Sequence, residues 1–320
     1  MIRADDLGVV AFGGGTGLPV LLWGLKERVE GLTAVVTMTD DGGSSGRLRR
    51  ELGVAPPGDV RNCLVALARR RELAEVFNYR FESEGELSEH SVGNIIIAAL
   101  SDMAGGFCEG VEQAARFLRI KGRVFPAAVE GLTLVAHYAD GTVIRGQSAV
   151  QAARKPIRRI AVEPEGTPAP VGVLEAVDGA DVVVLSSGSL FTSTIPALLG
   201  GGVKEALQAF RGPVVYVANV MTQPRETDGF SVSDHLRAIA DHIGPVVTDV
   251  LVHSGRLPDA IVERYDAEGA APVVVDREEI QTLGVRVREA DLVSRGADLG
   301  VRHDASRLAE EVCRVALVRL

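Results

Sequence analysis

Two glycine-rich stretches near the start of the chain, Gly13-Gly14-Gly15-Thr16-Gly17 and Gly42-Gly43-Ser44-Ser45-Gly46, could each present bare backbone N–H groups to a phosphate. Asp40 and Asp41 lead into the second stretch, and Asp59 follows a little later, after Pro56-Pro57-Gly58. Carboxylates so placed can hold a ribose, or can hold Mg²⁺ through one or two oxygens while ligand phosphates and water complete the octahedron. They can equally do no more than cap the turn at Gly42-Gly43. Neither stretch is a standard signature. Leu18 stands where the dinucleotide pattern G-x-G-x-x-G needs its last glycine, and no Lys-Ser or Lys-Thr follows as a P-loop requires.

Further along, Asn62, Asn94 and Asn219 each sit where a turn or strand end meets an apolar element. An amide there can read a base, sugar or phosphate ester, or can simply cap, and Asn94 before Ile95 reads as a helix N-cap. Asn219 leads into Val220-Met221-Thr222-Gln223-Pro224, which makes Gln223 a further candidate. Ser186-Ser187-Gly188-Ser189 follows an apolar run and offers a third group of donors, although Leu190-Phe191 after it rules out the G-x-S-x-G elbow of a serine hydrolase. Arg302-His303-Asp304 places a guanidinium where it could reach a diphosphate, with an ion pair to Asp304 as the competing reading. His90, His235 and His242 read as buried, hydrogen-bonded core residues.

The elements that must carry these groups alternate. Apolar runs at Leu7 to Phe12, Leu32 to Met38, Asp181 to Leu185, Pro213 to Ala218, Thr248 to Val252 and Pro272 to Val275 predict strands covered on both faces. Helical patterns lie between them, at Leu18 to Val29, from Cys63, at Val171 to Val177, His235 to His242 and Asp259 to Tyr265, with Ala305 to Val318 closing the chain. The prediction is an α/β, Rossmann-like open parallel sheet with helices on both faces. One domain spans residues 1–320, with the core at about 1–70 and 170–320 and an inserted helical and β subdomain at about 71–169. Within the insert, Leu132 to Tyr138 and Thr142 to Gln147 read as a hairpin and Ile157 to Val162 as its third strand. In an open parallel sheet, ligands bind beyond the carboxyl ends of the strands, where the glycine loops fall.

A chain of 320 residues, 46% of them hydrophobic, has ample core. A net charge of −9 argues against nucleic acid as a partner, although Arg47, Arg49 and Arg50, or Arg154, Lys155, Arg158 and Arg159, could face an anion. No apolar run reaches the roughly 18 residues of a membrane span, and Met1-Ile2-Arg3 opens no signal peptide, so a cytoplasmic protein is expected. Cys63, Cys108 and Cys313 lack metal-binding or disulfide spacing. An apolar face on a middle helix could support a homodimer.

Taken together, Gly13 to Gly17, Thr39 to Leu48, Pro56 to Cys63, Gly93-Asn94, Gly188-Ser189-Leu190, Asn219 to Pro224 and Arg302-His303-Asp304 resemble the gluconeogenesis factor family, the YvcK-type proteins. That family is similar in fold to 2-phospho-L-lactate transferase, CofD. The resemblance implies a cytoplasmic regulator that binds a nucleotide sugar such as UDP-N-acetylglucosamine, with partners in cell-wall synthesis and a role in cell shape during gluconeogenic growth. The glycines with Asp40, Asp41, Asp59, Asn62, Asn94, Ser189, Asn219 and Gln223 would then line the site. A transferase-like activity on a deazaflavin is the alternative it implies, with Asp41 and Asp59 as Mg²⁺ ligands. Mg²⁺ is a cofactor only on that alternative. A third reading, an NAD-dependent dehydrogenase, rests on the first glycine loop and Asp40 alone. Three positions depart from the family pattern: Ser186-Ser187 for Gly-Pro, Glu89 for a glycine, and Arg225 for the glycine after Gln-Pro.

Overall fold

The computed structural model describes residues 4–82, 85, 87–88, 90–153, 155–294 and 300–319; Glu89 and Arg154 lie outside them. Ten strands occur among the described residues: β1 (Gly8–Gly13), β2 (Gly31–Val36), β3 (Arg123–Pro126), β4 (Thr133–Tyr138), β5 (Val143–Arg145), β6 (Ile157–Glu163), β7 (Val182–Leu185), β8 (Val214–Val217), β9 (Asp249–His253) and β10 (Arg286–Ala290). Seven of them form one sheet in the order β10-β9-β8-β7-β1-β2-β3, and every neighbouring pair runs parallel. The others form a small antiparallel sheet, β5-β4-β6.

The helices are α1 (Gly17–Leu25), α2 (Gly43–Leu52), α3 (Gly58–Leu67), α4 (Arg71–Asn78), α5 (Val92–Ala104), α6 (Phe107–Leu118) and α7 (Gln147–Ala152). After the small sheet come α8 (Val171–Asp178), α9 (Val203–Ala209), α10 (Val232–Ile243), α11 (Asp259–Ala267), α12 (Arg277–Thr282) and α13 (Ala305–Arg319). The central strands are apolar because helices cover both faces. Val9, Ala11, Phe12 and all of Val182 to Leu185 are fully buried, each large side chain contributing roughly 2 kcal/mol by leaving water. Gly24 lets α13 lie directly on α1, since a Cβ there would meet the Ala305 carbonyl oxygen at 1.9 Å.

The architecture is thus the expected Rossmann-like sheet with a small β appendage, and it departs from the sequence reading at particular elements. β3, within the predicted insert, joins the main sheet beside β2. The run Pro272 to Val275 is no strand: it makes isolated bridges to Met221 and Ser231, and the sheet edge is β10 instead. Val274 is 64% exposed, so that apolar run lies on the surface rather than in a sheet. β2 ends at Val36, and Thr37 to Asp41 continue without regular structure, so Asp40 and Asp41 stand beyond the strand rather than at its end.

Candidate functional site

From β1 the chain steps outward through β2 to β3, then returns to β7 on the other side of β1 and continues to β10. The strand order therefore reverses between β1 and β7, the switch point where open α/β sheets hold ligands. The loops after these two strands touch. A Cβ on Gly17 would lie 1.7 Å from the Ser187 carbonyl oxygen, and one on Gly13 would lie 2.0 Å from Ser186 Oγ. These glycines answer first to loop packing, before any ligand.

Gly15, at φ +58°, is in the left-handed region that glycine enters freely. Its N–H donates to Asp59 Oδ2 at 2.8 Å, so the protein's own carboxylate occupies part of the expected phosphate cradle. Asp59 enters at the second position of α3 and does not cap it. Burial pushes its carboxyl up to about 6; the nearby Asp40 adds to the rise, while the Gly15 N–H and Arg61 oppose it. Asp40 Oδ1 accepts from the Gly42 N–H at 3.0 Å, which is the turn-capping role. Its other oxygen lies over the start of α3, 3.2 Å from where a Gly58 Cβ would be.

Asp41 goes elsewhere. Its Oδ1 accepts from the backbone N–H and hydroxyl of Ser148 at 2.8 and 2.6 Å, anchoring α7. The acids that share a cavity wall are Asp40 and Asp59, not the Asp41 and Asp59 of the Mg²⁺ expectation. Ser44 Oγ lies 3.0 Å from both His90 Nδ1 and Asn94 Nδ2, and Ser45 Oγ accepts from the Gly58 N–H at 3.1 Å. Asn94 is not an N-cap. Ser91 caps α5, and the Asn94 side chain, three positions in, is turned to Ser44. Arg61 donates to Asn62 Oδ1 at 2.5 Å, and burial, with the charge of Arg80 close by, lowers its guanidinium to about 10.

On the β7 side a neutral clamp replaces the carboxylate. Asn219 accepts from the Gly188 N–H at 3.0 Å and donates to the Gly188 carbonyl at 2.7 Å. Ser189 turns inward: its hydroxyl donates to the buried Glu226 at 2.6 Å, and the same carboxylate oxygen takes the Phe191 N–H at 2.7 Å. Burial pushes the Glu226 carboxyl up. Gln223 keeps a buried Oε1 without a partner. Arg225 has φ +75°, so the non-glycine at this departure sits in the conformation that the family's glycine would suit. Ser187, another departure, contacts His303 Nδ1 at 3.2 Å, and burial lowers the His303 imidazole to about 4. Asp304 accepts the Arg307 N–H at the start of α13. Arg302 is exposed and holds no ion pair among the described residues.

Three cavities sit over this rim. The largest, about 710 Å³, lies between Gly15-Thr16, the α1 residues Pro19, Val20 and Trp23, Asn62 and Arg302. A second, about 290 Å³, is bounded by Gly17, Gly188, Asn219, Gln223 and Tyr265 and shares Thr16, Val20, Arg302 and His303 with the first. A polar chamber of about 500 Å³ beyond β2 joins the first at Asn62. Of the predicted site residues, Gly13, Gly14, Asp41 and Ser189 line none of the three. Trp23, Tyr265 and His303 do line them, and sequence reasoning missed them as site residues. Tyr265 arrives from α11 and accepts the Val301 N–H at 3.0 Å. The only signal for Trp23 was a large aromatic on an otherwise apolar helix.

His90, His235 and His242 are buried and hydrogen-bonded, as expected of core residues. Cys63, Cys108 and Cys313 are free, and no group of three or more metal-ligating side chains occurs among the described residues. Nor is any described helix long and apolar enough to cross a membrane.

Comparison with known proteins fits this layout. The profile of the 2-phospho-L-lactate transferase CofD family matches residues 9–293. The chain belongs to the CofD family. Its relatives of high identity carry another name. It is 44% identical over 306 residues, 95% of each chain, to the gluconeogenesis factor of Halalkalibacterium halodurans. To the gluconeogenesis factor of Bacillus subtilis it is 40% identical over 303 residues, 94% of this chain and 95% of the relative. A crystal structure of a UPF0052 family member from Bacillus halodurans superposes with a TM-score of 0.93 at 44% identity, covering 96% of this chain and 99% of that one. The family and the fold are those that the glycine loops and their companion motifs led the sequence reading to expect.

Proposed function

We propose that this chain is a cytoplasmic gluconeogenesis factor, a regulator that binds a nucleotide sugar of the UDP-N-acetylglucosamine kind and engages cell-wall synthesis partners when occupied. The observation that carries this reading is the connected pair of cavities over the switch point, with the exposed Arg302 on their shared wall. The ligand's three parts match the surroundings. Trp23, Pro19 and Val20 supply an apolar face for a base. Arg302 and the start of α1 suit a diphosphate. The polar wall of the second cavity, with Thr16, Gln223 and the backbone of Gly17 and Gly188, suits sugar hydroxyls and an amide. Calorimetry with UDP-N-acetylglucosamine is expected to give saturable one-to-one binding that Mg²⁺ leaves unchanged, with no turnover. Absence of heat at about millimolar ligand overturns the reading.

One observation favours a second reading, a Mg²⁺-dependent transferase of the 2-phospho-L-lactate kind: Asp40 and Asp59 share a chamber next to the trough. Two carboxylates with the hydroxyls of Ser44 and Ser45 nearby fit Mg²⁺, which keeps most of its positions for water and substrate phosphate. Bound there, the ion would neutralise a diphosphate during displacement. Affinity or thermal stability that rises with Mg²⁺ only when a diphosphate ligand is present, together with transfer to a deazaflavin acceptor, is the result expected of this reading alone. No observation favours the dehydrogenase.

A further inference from the structure

Arg302 stands between two neighbours in the chain that are each tied down by a side chain from a different part of the fold. Before it, the Val301 N–H donates at 3.0 Å to the hydroxyl of Tyr265, which arrives from α11. After it, His303 Nδ1 lies 3.2 Å from the hydroxyl of Ser187, in the loop that follows β7. Both anchors line the second cavity, the same space that Arg302 faces. The main chain of the segment is fixed as well. The Ser294 N–H donates to the Arg302 carbonyl at 2.9 Å, and the Asp304 N–H to the Leu292 carbonyl at 2.6 Å.

The Ser187 contact has a definite sense. Burial and the charge of His253 hold the His303 ring at about 4, so near neutral pH the ring carries no charge and its Nδ1 can accept the hydroxyl proton. Arg302 is therefore the one cation of the Arg302-His303 pair. It is exposed and holds no ion pair among the described residues, so gripping an anion must cost it rotamer freedom. Backbone held on both sides lowers that cost, because less of the chain remains to be ordered when the ligand arrives. Ser187 is also a position that departs from the family pattern, and the proline of that pattern has no hydroxyl to offer His303. Resting on the nucleotide-sugar reading, we propose that Ser187 and Tyr265 are positioning residues that bracket Arg302 and set its guanidinium over the trough, and so set how tightly a diphosphate is held.

A double-mutant cycle on the full chain, read by calorimetry with UDP-N-acetylglucosamine, tests this. Ser187→Ala and Tyr265→Phe each remove one hydroxyl and should each weaken binding about threefold to tenfold, with melting temperatures within a few degrees of the native chain. Ser187→Cys, close in size and a weaker donor, should fall between serine and alanine. In an Arg302→Ala background the same changes should cost less than about twofold further, because the residue they act through is gone. A hydroxyl that touched the ligand itself, or merely kept the loops in shape, would matter equally in both backgrounds. Native affinity in Ser187→Ala and Tyr265→Phe, or equal losses with and without Arg302, overturns the bracket while leaving the nucleotide-sugar reading intact. No heat from the native chain overturns both.

Discussion

The two sides of the switch point hold a glycine loop at a strand end by different chemistry. On the β1 side an ionisable, buried carboxylate, Asp59, takes the Gly15 N–H. On the β7 side a neutral amide, Asn219, takes both the N–H and the carbonyl of Gly188. The amide clamp is complete and carries no charge, so it is scaffold. The carboxylate clamp is ionisable and desolvated, so it responds to protons. The contrast suggests that the β7 half is built to stay and the β1 half to respond.

The sharpest test of that contrast is pH. Asp59 has an ordinary value of 3.8 and a folded one of about 6. The folded state therefore holds the proton more tightly, and the stability this gives is complete below about 4 and lost as pH rises through about 6. Asp59→Asn is expected to remove roughly 3 kcal/mol of pH dependence in that window, read as the difference between the two proteins in denaturant melts at pH 4 to 7. Identical pH profiles would show that Asp59 is not desolvated. A smaller but pH-independent loss belongs to the other side. Asn219→Ala leaves a half-buried N–H and carbonyl unpaired and should cost about 1.5 kcal/mol at every pH; a loss that grows or fades across the same series would erase the distinction.

Smallest is the gain expected from Arg225→Gly. A left-handed arginine at φ +75° costs about 1 kcal/mol that glycine does not pay, so the melting temperature should rise by a few degrees. A fall would mean that the Arg225 side chain supports the loop in ways its backbone does not reveal.

How much of this was legible from residues alone follows from burial. β1 and β7 are apolar on both faces because helices cover both, so runs such as Val182-Val183-Val184 announced themselves. β10 reads Arg-Val-Arg-Glu-Ala, an edge strand whose charged side chains hide the pattern, and it exists through pairing with β9. β3 is four residues ending in proline, held at the other edge by β2. Apolar Pro272 to Val275 gave the opposite error, since local β preference cannot report that no neighbour is there to pair with. At the site, the glycine loops were visible and their packing on each other was not. Asp40 and Asp41 are chemically alike, and only a partner from 107 residues away, Ser148, decides which of them leaves the chamber. Trp23 lay beyond reach for a similar reason: that α1 turns it towards the trough depends on α3 and α13, which pack beside that helix.

The central claim is that the trough over the switch point binds a nucleotide sugar, and the chain's single tryptophan, Trp23, lies in its wall. Titrating Trp23 fluorescence with UDP-N-acetylglucosamine, in the native chain and in Arg302→Ala, reads that claim directly. A saturable change with one-to-one stoichiometry, weakened about tenfold or more by Arg302→Ala, is the predicted result. A flat trace at saturating nucleotide sugar, or a change that Arg302→Ala leaves untouched, would contradict it.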